Sequence, residues 1–256
     1  MDDGNVRAIE RAAGLVRASS KIVVFTGAGV STESGIPDFR SPGGIWSRYQ
    51  PVEFGEFLAS REARERYWIR SRETYPALVQ AQPNPAHLAI AQLEQMGKLD
   101  CVITQNIDGL HQKAGNSPEK VIELHGNTHW VVCLNCNHRS PRSDWQPILE
   151  SGVLLPECPD CGGILKVLTV SFGQPMPEWE TSEAERRSRG CDLFIVVGSS
   201  LVVYPAAQMP AYAVKAGAHL VIVNLTPTYI DDRADAVIRE KAGPALSRVV
   251  ELAQRP

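Results

Sequence analysis

Four groups of residues in this chain have the types and spacing that chemistry needs. Cys133-x-x-Cys136 and Cys158-x-x-Cys161 form two knuckles separated by 21 residues, one beyond the usual ribbon spacing of about 15 to 20. Each knuckle presents two thiolates from a tight turn, and four converging sulfurs satisfy tetrahedral Zn²⁺ with no open position, so the expected ion is structural. His129 and His138 lie nearby, but four sulfurs already close the shell. A second group, Thr26-Gly27-Ala28-Gly29-Val30-Ser31-Thr32, has the small residues with which a backbone turns tightly against a pyrophosphate, whose charge would meet the amides of a following helix. The third, Thr104-Gln105-Asn106-Ile107-Asp108-x-x-His111, offers amides and a carboxylate to ribose hydroxyls and a carboxamide. In the fourth, Glu123-Leu124-His125-Gly126, a histidine beside a glycine has room to face a ligand, and its near-neutral pKa suits proton removal from a sugar hydroxyl.

These groups need elements to hold them. Four near-continuous apolar runs, Ile22–Phe25, Cys101–Ile103, Leu193–Val197 and Leu220–Val223, fit strands buried on both faces of a parallel sheet. Helical patterns lie between them, one opened by Asn84-Pro85, continued by Ala86, Ala89, Ile90, Leu93 and Met96, and stopped at Gly97. The fold class expected is therefore α/β, a Rossmann-like parallel sheet whose strand tips gather along one carboxyl edge, where one dinucleotide would touch all four. Gly198-Ser199-Ser200 and Asn224-Leu225-Thr226 are the tips of the third and fourth runs. Two stretches break the rhythm. Residues 41–83 carry Arg, Glu and aromatics without an apolar run, which suggests a helical insertion, and residues 127–166 carry the cysteine pairs as a small zinc-binding module. The catalytic domain would then be residues 1–126 and 167–256.

Composition narrows the class. The chain has 256 residues, 43% hydrophobic and 21% charged, with a net charge of -3, an ordinary globular balance with no electrostatic reason to bind nucleic acid. Between the knuckles Arg139, Arg142, Asp144, Glu150 and Glu157 nearly balance in sign, which leaves no basic stripe for phosphates. Paired knuckles are hard to explain as a redox Cys-x-x-Cys. No apolar run approaches the roughly 18 residues of a membrane span. The expectation is a cytoplasmic, monomeric protein, with Cys101 and Cys191 as buried small hydrophobes. An ordinary dehydrogenase is disfavoured, because Thr32 stands where the common dinucleotide fingerprint has its third glycine, and no acidic residue closes a second strand about 20 residues on.

Taken in order, the loop Gly27 to Arg40 with Pro37-Asp38-Phe39-Arg40, the run Thr104 to His111, Leu124-His125-Gly126, the two cysteine pairs, Phe172-Gly173, Gly198-Ser199-Ser200 and Asn224-Leu225 resemble the sirtuins, the NAD-dependent protein lysine deacylases, over nearly the whole chain. The resemblance implies that NAD is consumed as a co-substrate rather than reduced. It would lie against Gly27, Ala28, Gly29 and Thr32, with Phe39 and Arg40 over the nicotinamide ribose. Gln105, Asn106 and Asp108 would hold the nicotinamide and ribose, and Gly198, Ser199, Ser200, Asn224, Leu225 and Ala242 the adenosine half. His125 becomes the catalytic base, supported by Asn106 and Asp108, and the products are nicotinamide, free lysine and O-acyl-ADP-ribose. The acylated lysine of a protein substrate would enter as a strand between Val170-Ser171-Phe172-Gly173 and Val202-Val203-Tyr204, near Ile107. Gln174 replaces the family's usual glutamate after Phe-Gly, which implies an altered peptide preference with catalysis kept. A mono-ADP-ribosyltransferase or a noncatalytic NAD sensor on the same fold stays open.

The acyl group is left open as well, with acetyl the first expectation. Tyr67-Trp68-Ile69-Arg70 has the Tyr-x-x-Arg spacing with which one sirtuin branch holds acidic acyl groups, and a phenol plus a guanidinium could pair with a distal carboxylate. That branch has alanine at Thr32 and threonine at Asp38. The competing account is that residues 61–72 form a solvated helix face.

Overall fold

The computed structural model describes residues 3–38 and 43–255. Phe39 and Arg40, expected over the ribose, lie outside the described residues. Within them the strands are β1 (Ile22–Thr26), β2 (Leu99–Thr104), β3 (Val121–Glu123), β4 (Gly126–Cys133), β5 (Arg139–Pro141), β6 (Leu165–Thr169), β7 (Leu193–Val197), β8 (His219–Val223) and β9 (Ala236–Ile238). The helices are α1 (Asp3–Ala18), α2 (Phe54–Ala59), α3 (Arg61–Gln80), α4 (Pro85–Gln95), α5 (Leu110–Lys113), α6 (Arg142–Glu150), α7 (Glu178–Arg189), α8 (Met209–Lys215) and α9 (Ala242–Gln254).

The four apolar runs become β1, β2, β7 and β8, the centre of a six-stranded sheet in the order β3-β2-β1-β7-β8-β9, with every pairing parallel. Alternate residues of a strand face opposite sides. Ile22 and Val24 join α1, α4 and α9 in one core, while Val23 and Phe25 meet Ala184 of α7 and Met209 and Ala213 of α8 in another. Both faces of the strands are covered, which explains why the runs are continuous rather than alternating. Helix α4 begins as its sequence implied: Asn84 caps it through Ala86 N at 2.9 Å, Pro85 fills its first turn, and Gly97 follows at φ 69.

The helix expected after the first glycine-rich loop is absent. Two single 3₁₀ turns, Ala28–Val30 and Thr32–Ser34, follow β1, and Gly35 at φ 82 ends the second. A three-residue turn has no macrodipole to aim at a phosphate. The glycines serve a different purpose as well. Gly29 N donates to Gly198 O at 2.9 Å, and a Cβ at Gly27 or at Gly29 would fall 2.8 Å from that same oxygen. Their missing side chains let the β1 loop and the β7 loop touch backbone to backbone.

A second sheet, β5-β4-β6, is antiparallel. With α6 it carries both cysteine knuckles, and its core continues into the helical insertion: Val131, Leu165, Val167, Trp145 and Leu149 pack with Phe57 of α2 and Tyr67 and Trp68 of α3. Two buried cations sit at this seam. Arg142 stacks 4.4 Å from the Tyr75 ring centroid, and Lys166 Nζ lies 5.5 Å from that of Tyr67. No described helix is long and apolar enough to cross a membrane.

Candidate active site

The carboxyl tips of β1, β2, β7 and β8 open into one cavity of about 910 Å³. Ala28 and Gly29 come from the first tip, Gln105, Asn106 and Ile107 from the second, Gly198, Ser199 and Ser200 from the third, and Asn224 and Leu225 from the fourth. Thr32, Ala242, Val170, Phe172, Gly173, Val202, Val203 and Arg70 also reach it, as does His125. Gly27 does not; it is packed against Gly198 and Ser199. Asp108 and Tyr67 line instead an adjoining cavity of about 310 Å³ that shares Ala28, Asn106, Ile107, Arg70 and Thr169 with the first.

His125 is placed by the turn between β3 and β4, where Gly126 at φ 68 has no space for a side chain: a Cβ there would come 2.1 Å from Leu168 O. The imidazole Nδ1 lies 2.9 Å from Gln105 O. A carbonyl oxygen only accepts, so Nδ1 carries the hydrogen and Nε2 keeps its lone pair. Burial pulls the ring below the usual histidine range, against the opposing pull of the bond to Gln105, so it is neutral at physiological pH and able to take a proton.

Behind it the β2 tip is fixed by a dense set of bonds. Asn106 Nδ2 donates to Gly27 O and to Ser31 Oγ, both at 3.1 Å. Both amide hydrogens are thus used, and Oδ1 is the atom left for the cavity. Asp108 accepts from Ser31 Oγ at 2.7 Å and from Leu110 N at 3.0 Å, so its carboxylate braces the glycine-rich segment. Gln105 Nε2 is a buried donor with no partner among the described residues. An unpaired amide is costly, and this one belongs to a residue of the cavity wall. A carboxamide or ribose acceptor of a dinucleotide would satisfy it, and the backbone-lined crevice at the reversal of strand order is where such cofactors bind. The residues present fit NAD.

Glu33 was not foreseen. It lines the large cavity, and its carboxylate accepts from Gly243 N at 2.8 Å, fastening the β1 loop to the start of α9. No local pattern could reveal a bond between residues so far apart in sequence.

The four cysteine sulfurs lie within 4.8 Å of one another, with Cys133–Cys161 and Cys136–Cys158 each at 3.6 Å. A tetrahedron with Zn–S of about 2.3 Å has S···S edges near 3.8 Å, so the set fits one structural Zn²⁺. His138 binds Asp160 at 2.7 Å and His129 Nε2 meets Asp108 O at 3.1 Å; neither belongs to the cluster.

The solvated-face account of residues 61–72 does not hold for its centre. Tyr67 and Trp68 are buried, and Arg70 lines both cavities. Burial raises the pKa of the Tyr67 phenol.

Residues 27–205 match the model of the Sir2 family. The chain is 49% identical to "NAD-dependent protein deacetylase 1" of Bradyrhizobium diazoefficiens over 94% of its own length and 95% of that protein's. Among solved structures, a Sir2 variant with deacetylated p53 peptide and 3'-O-acetyl-ADP-ribose superposes with a TM-score of 0.88 at 40% identity, covering 95% of this chain and 97% of that one. A Sir2 protein bound to a myristoylated histone peptide gives 0.80 at 40% identity, over 98% of both chains. Strand order, cysteine tetrad and a neutral histidine over a dinucleotide crevice thus accompany a match that runs through most of the sequence, and the chain belongs to the Sir2 family.

Proposed function

We propose that the protein is an NAD-dependent protein lysine deacylase in which His125 is the catalytic base. The observation that carries this reading is the tautomer of His125: Nδ1–H is held by Gln105 O, and Nε2 is free to accept a proton in the cavity where the strand tips converge. NAD, when bound, supplies the ribose carbon whose link to nicotinamide breaks as the acyl oxygen of the substrate attacks. Ala28, Gly29, Thr32, Gly198, Ser199, Ser200, Asn224, Leu225 and Ala242 hold the dinucleotide, with Gly27 supporting them from behind. Gln105 Nε2 donates to the carboxamide or ribose. Asn106 Oδ1 accepts from a ribose hydroxyl, and Asp108 keeps Ser31 and the loop in place. His125 would then take the proton of a ribose hydroxyl, whose oxygen bonds the amidate carbon, and addition of one water at that carbon would break its bond to nitrogen, releasing free lysine and leaving the acyl group on the ribose oxygen.

The substrate chain adds as a strand between Val170–Gly173 and Val202–Tyr204. The edges there are exposed: Val202 and Tyr204 are each more than half accessible, and Val170 N is already committed to His125 O at 2.9 Å, which couples the peptide edge to the base. A reducing compartment suits a site that needs four thiolates, and we place the enzyme in the cytoplasm.

Incubation with NAD and an acetyl-lysine peptide, followed by mass analysis, tests the assignment. Free lysine peptide with acyl-ADP-ribose is expected, and His125→Ala should abolish it. ADP-ribose attached to protein, with the acyl-lysine intact, would replace deacylation by transfer. A second reading concerns the acyl group. Arg70 stands where the two cavities meet, so a chain that extends past Ile107 would bring a terminal carboxylate to it. Comparing acetyl-, myristoyl- and succinyl-lysine peptides on the wild type and Arg70→Met decides: loss confined to the succinyl peptide supports this role, and equal loss on all three refutes it.

A further inference from the structure

Two buried histidines lie behind the catalytic loop, away from the cavity walls. His87 on α4 and His111 on α5 are 0% and 2% exposed, with ring centroids 5.0 Å apart. Each has one ring nitrogen without a partner among the described residues, Nε2 of His87 and Nδ1 of His111. The remaining nitrogens are engaged. Asn84 N donates to His87 Nδ1 at 3.3 Å, and His111 Nε2 lies 2.9 Å from Thr26 Oγ1. Thr26 Oγ1 in turn donates to Thr104 Oγ1 at 2.8 Å, and Thr104 Oγ1 accepts from the backbone N–H of Asn106 at 3.0 Å.

Proton positions follow from these partners. A backbone N–H only donates, so His87 Nδ1 is bare and the neutral ring carries its hydrogen on Nε2. Thr26 has a single hydroxyl hydrogen, directed at Thr104, so His111 must donate from Nε2 to Thr26 and hold a lone pair on Nδ1. The two atoms are therefore a donor and an acceptor that do not bond each other directly, on rings whose centroids are 5.0 Å apart, a gap that one buried water, accepting from one ring and donating to the other, would bridge. The opposite polarity of the chain would set two donors toward one another across that gap. Burial also keeps both rings neutral, as the relay requires.

We propose that His87 and His111 are positioning residues for deacylation: a one-way relay of hydrogen bonds runs from Asn84 to His87, across one bridging water to His111, and on through Thr26 to Thr104, and fixes Asn106 from behind. The relay ends at the cavity wall, which Asn106 lines: its Nδ2 is tied to Gly27 O and Ser31 Oγ, which leaves Oδ1 as the acceptor for a ribose hydroxyl. It begins at a residue that also grips the glycine-rich segment, since Asn84 Nδ2 donates to Val30 O at 2.7 Å and to Ser34 Oγ at 2.9 Å. The two walls that clamp the dinucleotide are thus set by one set of buried bonds. This rests on the deacylase assignment.

The test is steady-state kinetics of His111→Phe, His111→Gln, Thr26→Val and Asn106→Ala, and the double variant His111→Phe with Asn106→Ala, each with its zinc content and far-UV spectrum recorded. A loose positioning shell costs roughly ten- to a hundredfold in turnover. The expected result is a loss of that size in kcat for His111→Phe and Thr26→Val with peptide KM changed less than about threefold, and substantial recovery in His111→Gln, whose amide can still donate to Thr26. In the double variant the losses should not multiply, because both act through Asn106. Wild-type kcat in His111→Phe and Thr26→Val, or full multiplication of the two losses, overturns the proposal. Should His111→Phe fail to fold, Thr26→Val, which removes only the hydroxyl junction, carries the same comparison alone, paired with Asn106→Ala. A wild type that turns over no acyl-lysine peptide would refute the deacylase assignment instead, which separates the two failures.

Discussion

The six-stranded sheet and the small three-stranded sheet reach order by different means. Every residue of β1 and β7 is buried, and two separate apolar clusters cover the two faces; burial alone accounts for that unit. The smaller sheet has strands of eight, three and five residues, and its apolar cluster is completed only by Phe57, Tyr67 and Trp68 from the helical insertion. A body of this size has too little core to stand unaided. Its order comes from four cysteines closing on a metal and from neighbours that lend it side chains. The lesson is that the two regions should respond to opposite perturbations: the large sheet to cavities and acid, the small one to chelation.

Four experiments can break or sharpen that contrast. Stripping zinc with a chelator should have the largest effect. Structural zinc is worth on the order of 10 kcal/mol to a small module, so the β4–β6 region should lose amide protection while the six-stranded sheet keeps a cooperative unfolding transition. Activity should fall with the module, because Thr169, Val170 and Ser171 at its edge line the cavity. Simultaneous loss of both regions in hydrogen exchange would show that they are one unit.

Phe194→Ala, in the centre of the large sheet at 0% exposure, should cost about 3–5 kcal/mol in denaturant unfolding and leave zinc affinity unchanged. Acid comes next. Burial holds His87 at about 4 and His111 at about 3, below the usual histidine value of 6.5. The unfolded chain therefore binds protons that the folded chain refuses, so the stability these neutral rings provide is complete above about pH 6.5 and is lost as pH falls toward 4 and 3. A drop of roughly 4 kcal/mol by pH 5 is expected from the pair, about 2 kcal/mol from each ring. It should disappear in a His87→Gln, His111→Gln double variant, and persistence there would locate the acid sensitivity elsewhere.

The smallest effect belongs to the seam of the small module. Lys166 is 1% exposed and, among the described residues, bonds only backbone oxygens of Val167 and Thr169, and burial first, then the Arg70 charge, pulls its pKa down to about 7. A buried cation without a carboxylate partner is a net cost. Lys166→Met should raise the midpoint of unfolding by about 1 kcal/mol, and destabilisation would mean that the amine has an undiscovered anionic partner.

Much of this architecture was legible because the signals were local. Continuous apolar runs announced strands covered on both faces, Asn84-Pro85 and Gly97 bracketed α4, and the cysteine spacing specified a tetrad. Signals that depend on distant partners were not legible. The edge strands β3 and β9, three residues each, are too short for a periodicity, and exist because Val102 and Val221 offer them a parallel neighbour. The helix expected after Gly29 gave way to two 3₁₀ turns, since the loop is shaped by Gly198 rather than by its own propensity. The bond by which Asp108 braces Ser31 likewise joins residues far apart in sequence. The charge-rich stretch around Tyr67 looked solvated, and only the arrival of Val167 and Lys166 from another part of the chain buries it.

The contact between Gly29 and Gly198 has a consequence for synthesis. A ribosome delivers the first glycine loop early, but its seat, the backbone beyond β7, emerges only after most of the chain has been made. The nucleotide crevice is thus among the last features a nascent polypeptide can acquire, and any product released before residue 198 is a fragment without a binding pocket, however well its early helices have formed.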